Sequence, residues 1–416
     1  MFIFAAEIRI LLCVKRVFFY HDEKPLGKVI ILLIFSSIVC MCCQSNPERA
    51  KLGDIITIDI SKNYPRPKKN DQVFFDVEYV PLETNKDVLV DSEHAILKYI
   101  SEQYIVVTTY GNRREIFIFN RNGKNISVLN HNGRGPEEYT AMRDVVFDEK
   151  NEEIFVFDNI GTGRILVYSI TGEYKRTLKH STDLFLTMAY EFDEETILVY
   201  DTKGLYDNTY SKKPYMFMSK KDGSIISTLN ISLPVRYGNK VFHQFKDLSG
   251  QSWSYTSSIS IPNRRHYGQE FVISDVSSDT IYWLTKNRDL IPFIVRTPSV
   301  HSTDPHLTCT TPFITDKYIF FHITTLDYVS LQKEMAPPAK VLMYGFETGE
   351  ISTVNSMFDS ELHTLQKNID AELLDVTFLK DAYEKGKFGK LDFTLKQLVP
   401  TLDEEDNPVV MIMKYK

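Results

Sequence analysis

Beyond residue 43 this chain has a single cysteine, Cys309. The other four, Cys13, Cys40, Cys42 and Cys43, fall within the first 43 residues. One thiol in the body excludes an internal disulfide framework and a cysteine-rich zinc site. Cys309 lies in Leu307-Thr308-Cys309-Thr310-Thr311, an alternating segment that reads as an inner strand, where a buried structural cysteine is expected and not a nucleophile. There is no extended basic stretch. Arg113-Arg114 and Arg264-Arg265-His266 are short clusters in a chain of net charge -7, which argues against nucleic acid as a partner. No two of the ten histidines have helical His-x3-His spacing. No Gly-Lys-Ser/Thr follows a glycine loop, so no phosphate cradle is expected.

A long hydrophobic run is also missing. Val29 to Cys43 is apolar and uncharged, with Lys24 and Lys28 before it. Its length falls short of the ~20 residues that cross a bilayer. A positive segment, a short apolar segment and a run of small residues form a secretory signal. The run closes on Cys-Met-Cys-Cys-Gln-Ser, which resembles a bacterial lipoprotein cleavage site, where a Cys receives lipid. Cys43 is the first choice for that residue, with Cys42 and Cys40 as alternatives. A plain signal peptide or a signal anchor is the other reading. Residues 1–23 carry a second apolar patch, Phe18-Phe19-Tyr20. Either the start is assigned too far upstream, or the segment is amphipathic or membrane-spanning. Residues 1–43 are therefore read as leader and 44–54 as a polar tether.

From residue 55 onward the sequence is rich in aromatic residues and strand-like. Aromatics are 12% of the chain, which favours strands. Ile56-Thr57-Ile58-Asp59-Ile60 and Phe75-Asp76-Val77-Glu78-Tyr79-Val80 alternate with period two. A unit then repeats: an apolar strand, a short turn ending in Gly, and a second strand. It occurs at Ile116 to Gly123, Ile165 to Gly172, Tyr215 to Gly223 and Val341 to Gly349, and in a degenerate form at Ile281 to Asn287. Asn287 is expected to take the left-handed backbone that Gly takes elsewhere. The turns recur 49, 51, 64 and 62 residues apart. Such a period, with about four strands per unit, is the signature of propeller blades. In the clearest unit the strands are Met142 to Asp148, Glu153 to Asp158, Arg164 to Ser169 and Glu173 to Leu178.

Toward the C-terminus, Ser360 to Lys367, Asp381 to Lys387 and Leu391 to Leu398 have helical composition. One or two short helices should interrupt the last blade before a final strand, Val409 to Tyr415. That strand and Val77 to Leu82 are the leftovers of the repeat. A propeller cannot leave sheet edges free, so Val77 to Leu82 is expected as the outer strand of the last blade, beside Val409 to Tyr415.

Three stretches resemble the six-bladed β-propeller lipoproteins of Gram-negative gut bacteria, a family related to NHL-type propellers. They are the opening strand Phe75 to Thr84, the loop Gly133-Arg134-Gly135-Pro136-Glu137-Glu138-Tyr139, and the closing Glu405-Asp406-Asn407-Pro408-Val409-Val410-Met411. The resemblance covers about residues 55 to 416. It implies an all-β, six-bladed propeller with short helices inserted near the C-terminus, and a place in the cell envelope on the periplasmic side or outer-membrane surface. It transfers no catalytic residue and no cofactor.

The residues themselves leave two functions open. One is a binding or scaffolding module for a glycan, a peptide or another envelope protein. The other is a metal-dependent lyase or hydrolase at the propeller channel, because a ring can gather single histidines such as His301, His306 and His322 from different blades. The acidic run Asp403-Glu404-Glu405-Asp406 reads as a solvated turn and not a calcium loop. Asn159-Ile160-Gly161-Thr162-Gly163 reads as a strand connection. In the 133–139 loop the glycines allow a tight turn, Pro136 stiffens it, and Glu138 and Tyr139 clamp one blade to the next.

Overall fold

The computed structural model describes residues 55–67, 75–111, 113–158, 162–203, 212–237, 240–246, 252–258, 264–327, 329, 339–354, 362, 364–388 and 393–416. Cys40, Cys42 and Cys43 lie outside these residues.

Two strands precede the first blade, β1 (Ile56–Asp59) and β2 (Phe75–Pro81). Blade 1 is β3 (Ala95–Ile100), β4 (Tyr104–Thr109), β5 (Ile116–Asn120) and β6 (Asn125–Leu129). Blade 2 is β7 (Asp144–Asp148), β8 (Glu153–Phe157), β9 (Arg164–Ser169) and β10 (Tyr174–Lys179). Blade 3 is β11 (Leu186–Glu191), β12 (Thr196–Asp201), β13 (Tyr215–Ser219) and β14 (Ile225–Thr228). A separate hairpin follows, β15 (Lys240–Lys246) with β16 (Ser252–Ser258). Blade 4 is β17 (Arg264–Tyr267), β18 (Glu270–Ile273), β19 (Thr280–Leu284) and β20 (Leu290–Thr297). Blade 5 is β21 (His306–Ile314), β22 (Tyr318–Leu326), β23 (Ala339–Gly345) and β24 (Ile351–Val354). The last part holds β25 (Ile369–Leu374), helices α1 (Val376–Glu384) and α2 (Phe393–Leu398), and β26 (Val409–Tyr415).

Within each blade the strands form an antiparallel meander. The blade pattern explains why so many strands are apolar throughout. A propeller blade is covered on both faces, so its strands need not alternate. All five residues of β8 are buried, and apolar clusters fill the wedges between neighbours. Tyr99, Val106, Ile116 and Ile118 of blade 1 meet Val145, Ile154, Val156 and Leu166 of blade 2 in one such wedge. The next wedge joins Phe155 and Val167 to Ile197 and Val199. Six wedges of this kind make a ring, and the protein is an all-β six-bladed propeller.

The ring closes as expected from the sequence. Strand β2 pairs antiparallel with β26 from Phe75↔Tyr415 to Pro81↔Val409, and β26 lies between β2 and β25. Asn407 locks this junction. Its Nδ2 donates to the carbonyls of Glu83 (2.6 Å) and Val88 (2.9 Å), and its Oδ1 accepts from Val90 N–H at 2.8 Å. Its own N–H donates to Thr84 Oγ1 at 2.8 Å. Buried Asn407 thus supplies hydrogen bonds to the backbone of the connection between β2 and β3. Pro408 follows at the entry of the strand, where its missing N–H breaks no ladder bond.

The other N-terminal strand goes elsewhere. Strand β1 adds in parallel to β20 as a fifth strand of blade 4, and Ile58 and Ile60 are buried there. The chain then crosses blade 5, where Thr353 N–H donates to Pro65 O (2.9 Å) and Thr353 Oγ1 to Tyr64 O (2.8 Å). The chain ahead of the first blade therefore touches blades 4 and 5 and the last blade, formed by β25, β26 and β2.

The repeated glycines serve close approach as well as backbone conformation. Gly123 sits at φ 81, and a Cβ there would fall 2.0 Å from Pro81 O, at the end of β2 in the neighbouring blade. Gly172 and Gly223 take the same left-handed conformation against Leu129 and Leu178–Lys179 of their preceding blades. The degenerate copy differs from expectation. Its left-handed residue is Arg288, φ 69, not Asn287. Arg288 also bonds Asp193 of blade 3 at 2.7 Å, which ties this blade to its neighbour where a Gly turn cannot.

The helices also need correction. Among the described residues of 360–367 there is no helix, and Leu362 and Thr364 are buried ahead of β25. Helix α1 begins at Val376, five residues before the expected Asp381. Asp375 is its cap, with a carboxylate that accepts the Phe378 N–H at 3.0 Å. Helix α2 falls within the expected third segment. Leu379, Ala382, Leu395 and Val399 pack the two helices onto Val409, Met411 and Met413 of β26.

Candidate functional site

Strand direction sorts the connections onto two faces of the ring. First-to-second and third-to-fourth strand turns leave a blade on one face. Second-to-third turns and blade-to-blade connections leave on the other. The first face carries tight turns such as 101–103, 149–152, 170–173, 268–269 and 315–317. The second carries the connection 130–143, the described parts of other connections at 202–203, 212–214, 229–237, 327 and 329 and, in the last blade, 375–388 and 393–408 with the helices. Ser92, in the connection between β2 and β3, donates to Asp375 at 2.6 Å, so the helical insertion stands on this same face. Leu89, Val235, Val329, Tyr383 and Phe393 are large exposed apolar side chains on this face, the last 68% exposed; Ile126 and Ile226 are exposed on outer strands, and Leu365 beside the tight turns 101–103 and 149–152.

The 133–139 loop proves to be a clamp. Tyr139 is fully buried and donates to Arg114 O at 2.6 Å, across to the blade 1 turn. Tyr168 of blade 2 donates to Glu137 O at 2.7 Å. Glu138 folds back to accept the Gly135 N–H at 2.7 Å, and a Cβ on Gly133 would lie 1.9 Å from its carboxylate. Asp158 accepts the N–H groups of Thr140 and Ala141 and pairs with Arg164 at 2.6 Å. Tyr139 and Tyr168 thus tie the loop to the two blades it joins, while Glu138 braces the loop itself.

A different cluster on the long-connection face is built toward solvent. Its centre is Tyr237, after β14. The Tyr237 N–H donates to Ser277 Oγ at 2.9 Å, and Ser277 N–H donates to Asp275 Oδ1 at 2.9 Å. Buried Asp275 also accepts the hydroxyls of Tyr200 (3.1 Å) and Tyr215 (2.8 Å). Arg236 donates to Asp201 O at 2.7 Å and lies over the Tyr200 ring at 4.9 Å. The backbone of Arg236-Tyr237 is thus held by a buried polar network spanning blades 3 and 4.

Two of the three histidines singled out in the sequence converge on Tyr237. The His306 ring packs against it at a 40° tilt with centroids 4.0 Å apart, and the Tyr237 hydroxyl is 2.9 Å from His301 Nδ1. His306 Nδ1 is 2.9 Å from Val300 O. A carbonyl only accepts, so His306 Nδ1 carries a hydrogen and donates it to Val300 O. The result is an aromatic wall with a tyrosine hydroxyl and two imidazoles, His301 exposed and Tyr237 half-exposed. Such a patch can stack on a ring or apolar face and read hydroxyl or amide groups beside it.

The remaining candidates are not brought here. His322 lies on β22, and burial holds its pKa below the usual histidine range. Asp403 and Asp406 close a turn on each other, with Asp403 N–H donating to Asp406 Oδ2 at 2.8 Å. Among the described residues, no three His, Cys, Asp or Glu side chains are grouped to hold a metal ion. Cys309 is buried on β21, the first strand of blade 5, and burial pushes its thiol up to about 12. With almost no thiolate at neutral pH it should resist iodoacetamide in the folded protein. Alkylation is expected only after denaturation. Rapid labelling of the native protein by mass spectrometry would contradict the burial.

Fold and connections together define a six-bladed propeller with one elaborated face. The chain belongs to the family described as "Domain of unknown function (DUF4934)", whose model matches residues 55–414. It is similar in structure to a Bacteroides fragilis protein inferred to be exported, at 15% identity and TM-score 0.60, covering 87% of this chain and 100% of the other. That likeness shows a shared fold. A protein of unknown function from Bacteroides caccae (10% identity, TM-score 0.28, 62% of this chain and 74% of that one) adds nothing to it. Nor does a catalytically inactive virginiamycin B lyase from Staphylococcus aureus with quinupristin (13%, TM-score 0.33, 67% and 88%). No curated protein matches the chain.

Proposed function

We propose that this protein is a lipid-anchored recognition module of the bacterial cell envelope, tethered through Cys43 and binding a glycan, a peptide or a partner protein on its long-connection face. The observation that carries the reading is the asymmetry of the ring. One face is trimmed to tight turns, while the other bears the longer connections, five large exposed apolar side chains and the Tyr237–His301–His306 cluster. Loops on a rigid scaffold are where recognition is concentrated. Export rests on the apolar leader and its Cys cluster, and the likeness to the Bacteroides fragilis protein accords with it. Among the described residues no helix is long and apolar enough to cross a membrane; the anchor in this reading is the lipid on Cys43.

Fractionation tests the anchor. Replacing Cys42 and Cys43 together with Ser should move the protein from the membrane to the soluble fraction. One acyl chain gives only marginal membrane binding and stable anchoring takes a second signal, so a lipid-modified Cys with more than one chain is implied. Tight membrane association that persists with Cys40 also replaced would contradict the lipid anchor and point to a helical one.

A further inference from the structure

Blades 2 and 3 meet at a buried triad of charged side chains. Lys220, just after β13, points its ammonium to Asp148 Oδ2 at 2.7 Å and to Glu191 Oε1 at 3.0 Å. The Lys220 side chain is 6% exposed, Asp148 1% and Glu191 18%. One cation thus faces two acids with almost no water. Burial, with Asp148 and Asp193 nearby, raises the Glu191 pKa against the pull of Lys220. That readies Glu191 to carry a proton. The backbone holds the partners in place: Lys220 N–H donates to Glu195 O at 2.8 Å, and Arg176 donates to Lys220 O at 3.1 Å.

We propose that Lys220 and Asp148 are a modification site, at which an amide forms between Nζ and the Asp148 Cγ with Glu191 as proton carrier. A Nζ to Oδ2 contact of 2.7 Å puts Nζ roughly 3.5 Å from Cγ, at the near-attack separation where orientation alone supplies a large effective concentration. Transfer of one proton from Nζ to Asp148 gives the amine and the carboxylic acid that the condensation needs. Nζ then attacks Cγ and the C–N bond forms. Negative charge gathers on Oδ1, which accepts the Asn151 N–H at 3.1 Å, and the Arg176 guanidinium adds positive potential nearby. Glu191 takes a proton from Nζ and returns it to the departing oxygen. The Cγ–Oδ2 bond breaks, and Oδ2 leaves as water with the two protons that Nζ has lost. No oxidant, reductant or co-reactant enters. The product is a covalent tie from the end of β7 to the turn after β13, between adjacent blades.

Tryptic peptide mapping of the purified full chain tests this. The expected result is one branched peptide joining the Asp148 and Lys220 segments, one water lighter than their sum and uncleaved at Lys220. Glu191→Gln keeps the shape but carries no proton, and should drop the branched species from the main form to undetectable. Separate, unmodified Asp148 and Lys220 peptides from folded wild-type protein would overturn the proposal and leave an ordinary buried ion pair. A branched peptide persisting in Glu191→Gln would overturn the role of Glu191. The wild-type map decides the main point even where the variant fails to fold.

Discussion

Ending the chain at Asn407 should unfold the whole propeller in one transition, not fray one edge. The seven lost residues of β26 sit in the middle of their sheet, with β25 on one side and β2 on the other. Val409, Val410, Met411, Ile412 and Met413 are all buried. Each such side chain contributes about 1.5–3 kcal/mol by burial, so together they match or exceed the ~5–15 kcal/mol by which a typical domain is stable. The truncation also opens two sheet edges and removes the surface on which both helices rest. The expected outcome is an insoluble or molten product with no cooperative melting, measured by circular dichroism and calorimetry. Unchanged melting temperature and solubility would mean that β26 is peripheral and that the ring closes elsewhere.

The residues that announced this closure did so for a physical reason. A strand that pairs with the far end of the chain still carries its own apolar pattern and its Asn-Pro punctuation, and both are local. The blade repeat was legible in the same way, because turns such as those at Gly123 and Gly223 need a bare Cα against the preceding blade. Partner choice is not local. Nothing in Ile56-Thr57-Ile58-Asp59 distinguishes pairing with β20 from pairing within the last blade, and the structure sends it to β20. The start of α1 was hidden because Leu373-Leu374 belongs to a strand that runs straight into the cap at Asp375. At Asn287 residue preference pointed one position early, since the contact from Arg288 to Asp193 decides which residue turns.

The candidate site was legible only in part. His301 and His306 stood out as histidines in a Pro-containing loop, but Tyr237 lies in the connection after β14, outside any repeat. Its signal was the length of that connection alone. The Asp275 network that positions it joins residues 200, 215, 237, 275 and 277, which no spacing rule gathers.

The central claim, that recognition occurs on the long-connection face, has a direct test. A photoreactive side chain placed at Val235 or His301 reports on that face. One placed at Asn151 or Lys317, both exposed on tight turns, reports on the other. Binding hot spots concentrate in a few aromatic and polar anchors, so contact should be confined to one region. Illumination in intact cells, followed by mass analysis of the purified protein, should give a discrete adduct from positions 235 and 301 and none from 151 or 317. Tyr237→Ala together with His306→Ala should reduce the adduct at 235 at least tenfold, the ~1.4 kcal/mol expected from losing one good contact, with no change in melting temperature. Adducts formed from the tight-turn face instead, or from both faces equally, would contradict the account.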